Sequence, residues 1–414
     1  MNVLKNYAFT IFLLLGILIG GICGIIFGEG TSVVKPVGDI FLNLMFVLIV
    51  PLVFFSVASS IYNMRDSNMV GKVIGSIVFV FLFTGVVAAA VSYLFTLLYN
   101  PLGGVNQSEF LLGLPQQTVK QLTSAEIFVN VFTVSDFQQL FTKANLLPLI
   151  IFSIFFGLAT SFSGTKGKIV ADFLNASTHV IMKIMDIIMK AAPIGLGCYF
   201  ADTVGNLGGQ ILNGYMHVFI LFLIITGISF FGLNSIYVFW AGGKKGFVSF
   251  WQNILTPSLT AIATSSSAAC IPVNIEASKR MGIPSGIAET VIPLGTNMHK
   301  DGSIIGGVLK IIFLFTIFGQ EITSSSNMFM IIGVAVLSAA VVGAIPSGGM
   351  TGELLICSIF GFSPQFAATL MIISTIIDVP ATLLNSTGNV VCAMMVTRLA
   401  EGKDWVKKQF IDAS

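Results

Sequence analysis

The chain has 414 residues, 55% hydrophobic and 9% charged, and a mean hydropathy of +0.95, values that exclude a soluble domain with a single core. A net charge of +2, dispersed along the chain, excludes a nucleic-acid partner. Its five cysteines stand singly, with no CxxC and no His at ligand spacing, which argues against a disulfide frame or a metal site and for apolar filling.

A membrane span needs about 20 apolar residues. Residues 8–28, 38–62, 73–99, 144–163, 170–200 and 213–241 satisfy this, and residues 1–28 read as a first span rather than a cleaved signal. After Lys245 no charge appears until Glu276, yet Pro257, Ser265, Ser266, Ser267 and Pro272 interrupt the stretch. This predicts a re-entrant hairpin over 246–281. The next span, 285–318, is broken at His299, Lys300, Asp301 and Gly302. Ionisable residues at membrane depth mark a solute or ion path, and irregular backbone survives there only beside a cavity. A second hairpin, 327–363, has Gly343, Pro346, Ser347, Gly348 and Gly349 at its middle, and a last helix, 365–400, carries Asp378, Pro380 and Asn385. The fold class is therefore an all-α integral membrane protein, with eight transmembrane helices and two re-entrant helical hairpins arranged as inverted repeats. Interrupted segments in corresponding places of two halves point to a transporter's substrate site.

The positive-inside rule puts Lys5, Arg65, Lys72, Lys166, Lys168, Lys244, Lys245, Lys279, Arg280 and Lys403 on one side of the lipid bilayer. Both termini are then cytoplasmic in a multi-pass protein of the plasma membrane.

The ordered set of Ser265-Ser266-Ser267-Ala268-Ala269-Cys270-Ile271-Pro272, Pro293-Leu294-Gly295 ahead of Asp301-Gly302-Ser303, and Asp378 through Thr382 to Asn385 and Gly388 resembles the dicarboxylate/amino acid:cation symporter family. The resemblance spans nearly the whole chain. It implies an elevator-type carrier and a homotrimer. Scaffold helices would lie in 1–72 and 101–212, and the transport domain would comprise 73–100 and 213–414. It implies that Asp378 receives a substrate amino group beside Thr382. The hairpin backbones around Ser265, Ser347, Gly348 and Gly349, with Ser266, Ser267 and Asn385, would hold a carboxylate.

The departures bear on coupling. Sodium-coupled members of that family carry asparagine and methionine where this chain has His299 and Lys300, and a terminal aspartate where it has Asn389. Their third-span ligands become Phe81, Thr84 and Gly85. A tethered cation in place of a free one is the expectation: Lys300 beside Asp301, with His299 completing a proton-binding cluster. The coupling ion is then H⁺, with Na⁺ the alternative, and no organic cofactor is implied. A purely structural Lys300 is a further reading. Ala381 replaces the arginine that would meet a side-chain carboxylate, which favours neutral amino acids over glutamate, aspartate or dicarboxylates. The alternatives are a sodium-coupled dicarboxylate symporter, an uncoupled exchanger and a channel. An intramembrane hydrolase would need a base for Ser265, Ser266 or Ser267, and no G-x-S-x-G encloses them. His179 and His217 read as hydrogen-bonded core residues, and Glu353 as a proton site or as a carboxylate facing a wet crevice.

Overall fold

The computed structural model describes residues 2–65, 71–99, 133–142, 145–207, 210–342, 349–403 and 405; among them there is no strand. The first three helices are α1 (Asn2–Phe27), tightening into a 3-10 turn over Gly28–Val33, α2 (Lys35–Arg65) and α3 (Gly71–Leu98). A single turn, α4 (Phe137–Leu140), precedes α5 (Leu146–Phe162). The predicted span 170–200 is two helices, α6 (Gly164–Met189) and α7 (Ala192–Leu207). Pro193 is the cause: it lacks an N–H and its ring excludes a helical carbonyl four residues earlier, so it is tolerated only in a first turn.

Next, α8 (Gln210–Gly227) passes through a π-helical segment, Ile228–Leu233, into α9 (Asn234–Asn253), which kinks at Gly243 with φ 61°. Beyond that kink the chain enters the segment of the first hairpin. It continues as α10 (Leu255–Thr264) and returns as α11 (Ile271–Arg280), with Pro257 and Pro272 each in a first turn. The broken helix is α12 (Ser285–Met298) and α13 (Asp301–Ile317). The second hairpin is α14 (Ser325–Val342) and α15 (Gly349–Phe360), and α16 (Phe366–Glu401) is last. Ser347 and Gly348 lie outside the described residues, and Gly349 opens α15. By length and composition, five helical stretches among the described residues can cross a membrane: Ile11–Val33, Lys35–Ser59, Gly75–Leu98, Asn213–Asn253 and Phe366–Glu401.

Packing forms two dense groups, joined by fewer contacts such as α1 with α10 and α5 with α15. One joins α1 to α7, and α2 to α5, α6 and α7. Lipid offers no hydrophobic drive between helices, so close backbone approach by small residues does the work. A Cβ on Gly20 would overlap the backbone of Gly197. In the other group α16 is the axis, touched by α3, α8 to α13 and α15.

The apolar core of this second group is itself divided. Phe366 to Leu384 of α16 belong to one cluster and Val390 to Val396 to another. Asn385, Ser386, Thr387 and Asn389 lie between them, each at most 5% exposed. The same seam crosses the other elements. In α3 it falls between Val80 and Ala88, and along the broken helix between Ile292 and Ile304. Buried polar side chains require partners, so a polar seam through an apolar core is where a site has to be sought.

Candidate ion and substrate site

His299 occupies the middle of the seam and is 2% exposed. Where the helix breaks the chain is extended at His299 (φ −115°, ψ 113°) and non-helical at Lys300 (φ −146°, ψ 73°). The imidazole stacks on Phe81, with ring centroids 4.9 Å apart. Its Nε2 lies 2.7 Å from Thr84 Oγ1 and 3.0 Å from Asp301 Oδ1, and its Nδ1 lies 3.1 Å from Asn389 Oδ1.

The partners determine which way each bond runs. The Thr84 hydroxyl donates to the Val80 carbonyl, at 3.1 Å, and so accepts from Nε2. Asn389 directs its Nδ2 to Thr296 Oγ1, whose own proton goes to the Ile292 carbonyl, and this turns the amide oxygen toward Nδ1. Both ring nitrogens thus face acceptors. A neutral imidazole donates from only one nitrogen, an imidazolium from both, so the surroundings fit the cation.

His299 is the side chain at ion-pair distance from Asp301. Lys300, 6% exposed, acts by its charge on Asp378, whose own surface is exposed.

The remaining predicted residues divide between contact and scaffolding. Asn385 accepts from the Ser303 backbone N–H at 3.2 Å and donates to Ser303 Oγ at 3.1 Å, joining α16 to α13. Thr382 and Ala381 are buried on α16. Ser265 adopts a left-handed backbone (φ 47°), uncommon for a residue with a Cβ, and its buried hydroxyl has no partner. Ser266 instead caps the tip, accepting from the Ala269 N–H at 3.3 Å, and the Ser267 carbonyl accepts from the Cys270 N–H at 3.2 Å. Asn274 of α11 ties this hairpin to Ser386.

Three sequence expectations are corrected. His179 is exposed, and His217 is half-buried with Nδ1 2.7 Å from the Asn213 carbonyl, so neither is a core histidine. Glu353 faces no wet crevice, being wholly buried beside Lys310. Cys392 is more than filling, with its sulfur 3.6 Å from His299 Nε2. Lys310 and Cys392 escaped the sequence reading. A lysine inside the apolar run of α13 was a sufficient signal for the first.

Gly302 lets α13 approach α16 at this point. A Cβ there would lie 2.4 Å from the carbonyl oxygen of Ala381 and 2.8 Å from its Cα. Gly302→Ala is expected to cost about 1–3 kcal/mol through overpacking, seen as a lower melting temperature of the purified protein with loss of uptake. An unchanged melting temperature would mean that the two helices can part freely.

The sequence profile described as "Sodium:dicarboxylate symporter family" matches residues 9–399. The chain belongs to the sodium:dicarboxylate symporter family. It is 27% identical to a proton/sodium-glutamate symport protein of Geobacillus stearothermophilus, over 93% of this chain and 92% of that one. It is 26% identical to a C4-dicarboxylate transport protein of Bacillus subtilis strain 168, over 96% and 94%, and 27% identical to one of Rhizobium leguminosarum, over 95% and 89%. This symporter is thus a membrane transporter rather than an enzyme. Its sequence likeness and its helical, hairpin-bearing fold agree.

Proposed function

We propose that this symporter carries small carboxylates with protons and without sodium, His299 standing where the family's sodium-coupled members bind their cation. The carrying observation is the ring of acceptors around both imidazole nitrogens: Thr84, Asp301 and Asn389 surround a protonated side chain as they would surround a metal ion. The donor set fits Na⁺ poorly. The imidazole occupies the space between the oxygens, Phe81 supplies a ring face without a hydroxyl, and Asn389 supplies an amide where a hard cation favours a carboxylate. A proton reaching His299 makes the cation that Asp301 needs, and its departure leaves that carboxylate uncompensated.

The reading of the substrate rests on Lys300 and Asp378, whose charges act on one another. Lys300 gives Asp378 an internal ammonium, so a carboxylate without an α-amino group is the preferred cargo. Ala381 favours the second reading, a neutral amino acid, because no arginine answers a side-chain carboxylate there. The dense mutual packing of α1, α2 and α5 to α7, with fewer contacts to the helices around α16, supports a scaffold beside a transport domain that moves as an elevator. A homotrimer in the plasma membrane with cytoplasmic termini completes the proposal.

Uptake into proteoliposomes tests it, using labelled succinate, L-glutamate and L-alanine, with sodium present or replaced by choline and with an imposed pH gradient. Saturable uptake that follows the proton gradient and ignores sodium is expected. Strict sodium dependence would overturn the role of His299, and non-saturating flux would indicate a channel.

A further inference from the structure

A second pair of charges is buried away from this site. Lys310 on α13 is 7% exposed and Glu353 on α15 is 0% exposed. Lys310 Nζ donates to Glu353 Oε1 at 2.5 Å and to Ser374 Oγ at 2.8 Å, and the Ser374 hydroxyl donates to the same Oε1 at 2.5 Å. The other carboxylate oxygen, Oε2, is buried with no hydrogen-bond partner among the described residues. That oxygen is an acceptor at which a proton can be taken up without displacing a hydrogen bond, and the attraction of the arm to Lys310 depends on the carboxylate keeping its charge.

The surroundings isolate the pair. Cys357, one turn along α15, is the other titratable side chain that acts on Glu353 from its own helix. From α16 come Ser374 and, one turn further, Asp378, while Arg398 and Glu401 lie at that helix's far end. On α13 the other ionisable residue is Asp301, at the first position of the helix. The helices α14 and α5, which also pack on α15, carry no ionisable side chain. Glu353 stands one turn from the start of α15, and so next to the tip of the second hairpin. The pair therefore ties the hairpin's return arm to the two helices that carry Asp301 and Asp378.

We propose that Lys310, Glu353 and Ser374 form a second proton-binding site, at which a proton on Glu353 Oε2 loosens the return arm of the second hairpin from α13 and α16. One O–H bond forms, Lys310 keeps its charge, and an ion pair becomes a cation beside a neutral acid. The hydrogen bonds survive this change, but the Coulomb attraction does not. The hairpin's opening is then linked to pH independently of His299.

Hydrogen/deuterium exchange of the full-length protein in nanodiscs tests this without transport. After correction for the intrinsic pH dependence of exchange, the opening constant of α15 in the wild type is expected to rise as pH falls, by up to about tenfold per pH unit. In Glu353→Gln, which mimics the protonated acid, the raised opening is expected at every pH, with no slope. His299→Gln is expected to keep the α15 slope, which separates this proposal from the coupling role of His299. A flat wild-type profile would overturn the proposal even if the glutamine variant failed to fold, and so would a slope that persists in Glu353→Gln.

Discussion

Replacing His299 by asparagine is expected to make uptake depend on sodium. The substitution removes the cation that lies 3.0 Å from Asp301 and opens a space bounded by Thr84, Asp301 and Asn389. Asp301 is then a partly buried carboxylate that has lost its cation, its side chain 15% exposed. Breaking such a pair costs about 3–5 kcal/mol. At the lower end of that range, apparent substrate affinity without sodium falls by roughly a hundredfold. A hard cation brought by the medium restores the charge balance, now among oxygen ligands alone, so sodium should recover much of the loss while the pH-gradient response disappears. Binding isotherms and uptake, measured for wild type and His299→Asn with and without sodium, check both halves. A variant that remains proton-driven and indifferent to sodium would show that another group carries the coupling proton.

Most of the architecture was legible because its signals are local. Pro257, Pro272 and the serines between them marked the first hairpin, and the last helix runs Phe366–Glu401 where the hydropathy pattern indicated 365–400. Pro193 was read through as part of one span, although a proline inside an apolar run demands a break. The pairing of charges was not legible. His299, Lys300 and Asp301 are adjacent in sequence and read as one cluster, but the backbone is extended at His299 and stays non-helical at Lys300. Successive side chains on extended backbone point to opposite sides. His299 accordingly meets Thr84 and Asn389, while the charge of Lys300 acts on Asp378. Nor could spacing pair Lys310 with Glu353, because their contact exists only once α15 folds back along α13.

That divergence makes Lys300→Met the more discriminating change at the substrate. In the wild type the Lys300 ammonium acts on Asp378, the residue that by family resemblance awaits the amino group of a substrate. An internal cation competes with an external one for the same carboxylate, and a substrate with an ammonium would have to displace it. A dicarboxylate has no such group and meets no competition. Methionine is one atom shorter than lysine and keeps an unbranched apolar stem, with sulfur in place of Cδ and no terminal ammonium. Asp378 then becomes available, and each charge-assisted hydrogen bond it makes to an incoming ammonium favours amino acids. The ratio of L-alanine to succinate affinity is expected to rise about tenfold or more, read by competition against a labelled substrate in proteoliposomes. Asp378→Asn is expected to remove the preference that Lys300→Met creates, because an amide offers the ammonium no charge. An unchanged ratio in Lys300→Met would mean that Lys300 and the substrate amino group use different faces of Asp378, and the case for a cargo without an amino group would then fall while the role of His299 stood.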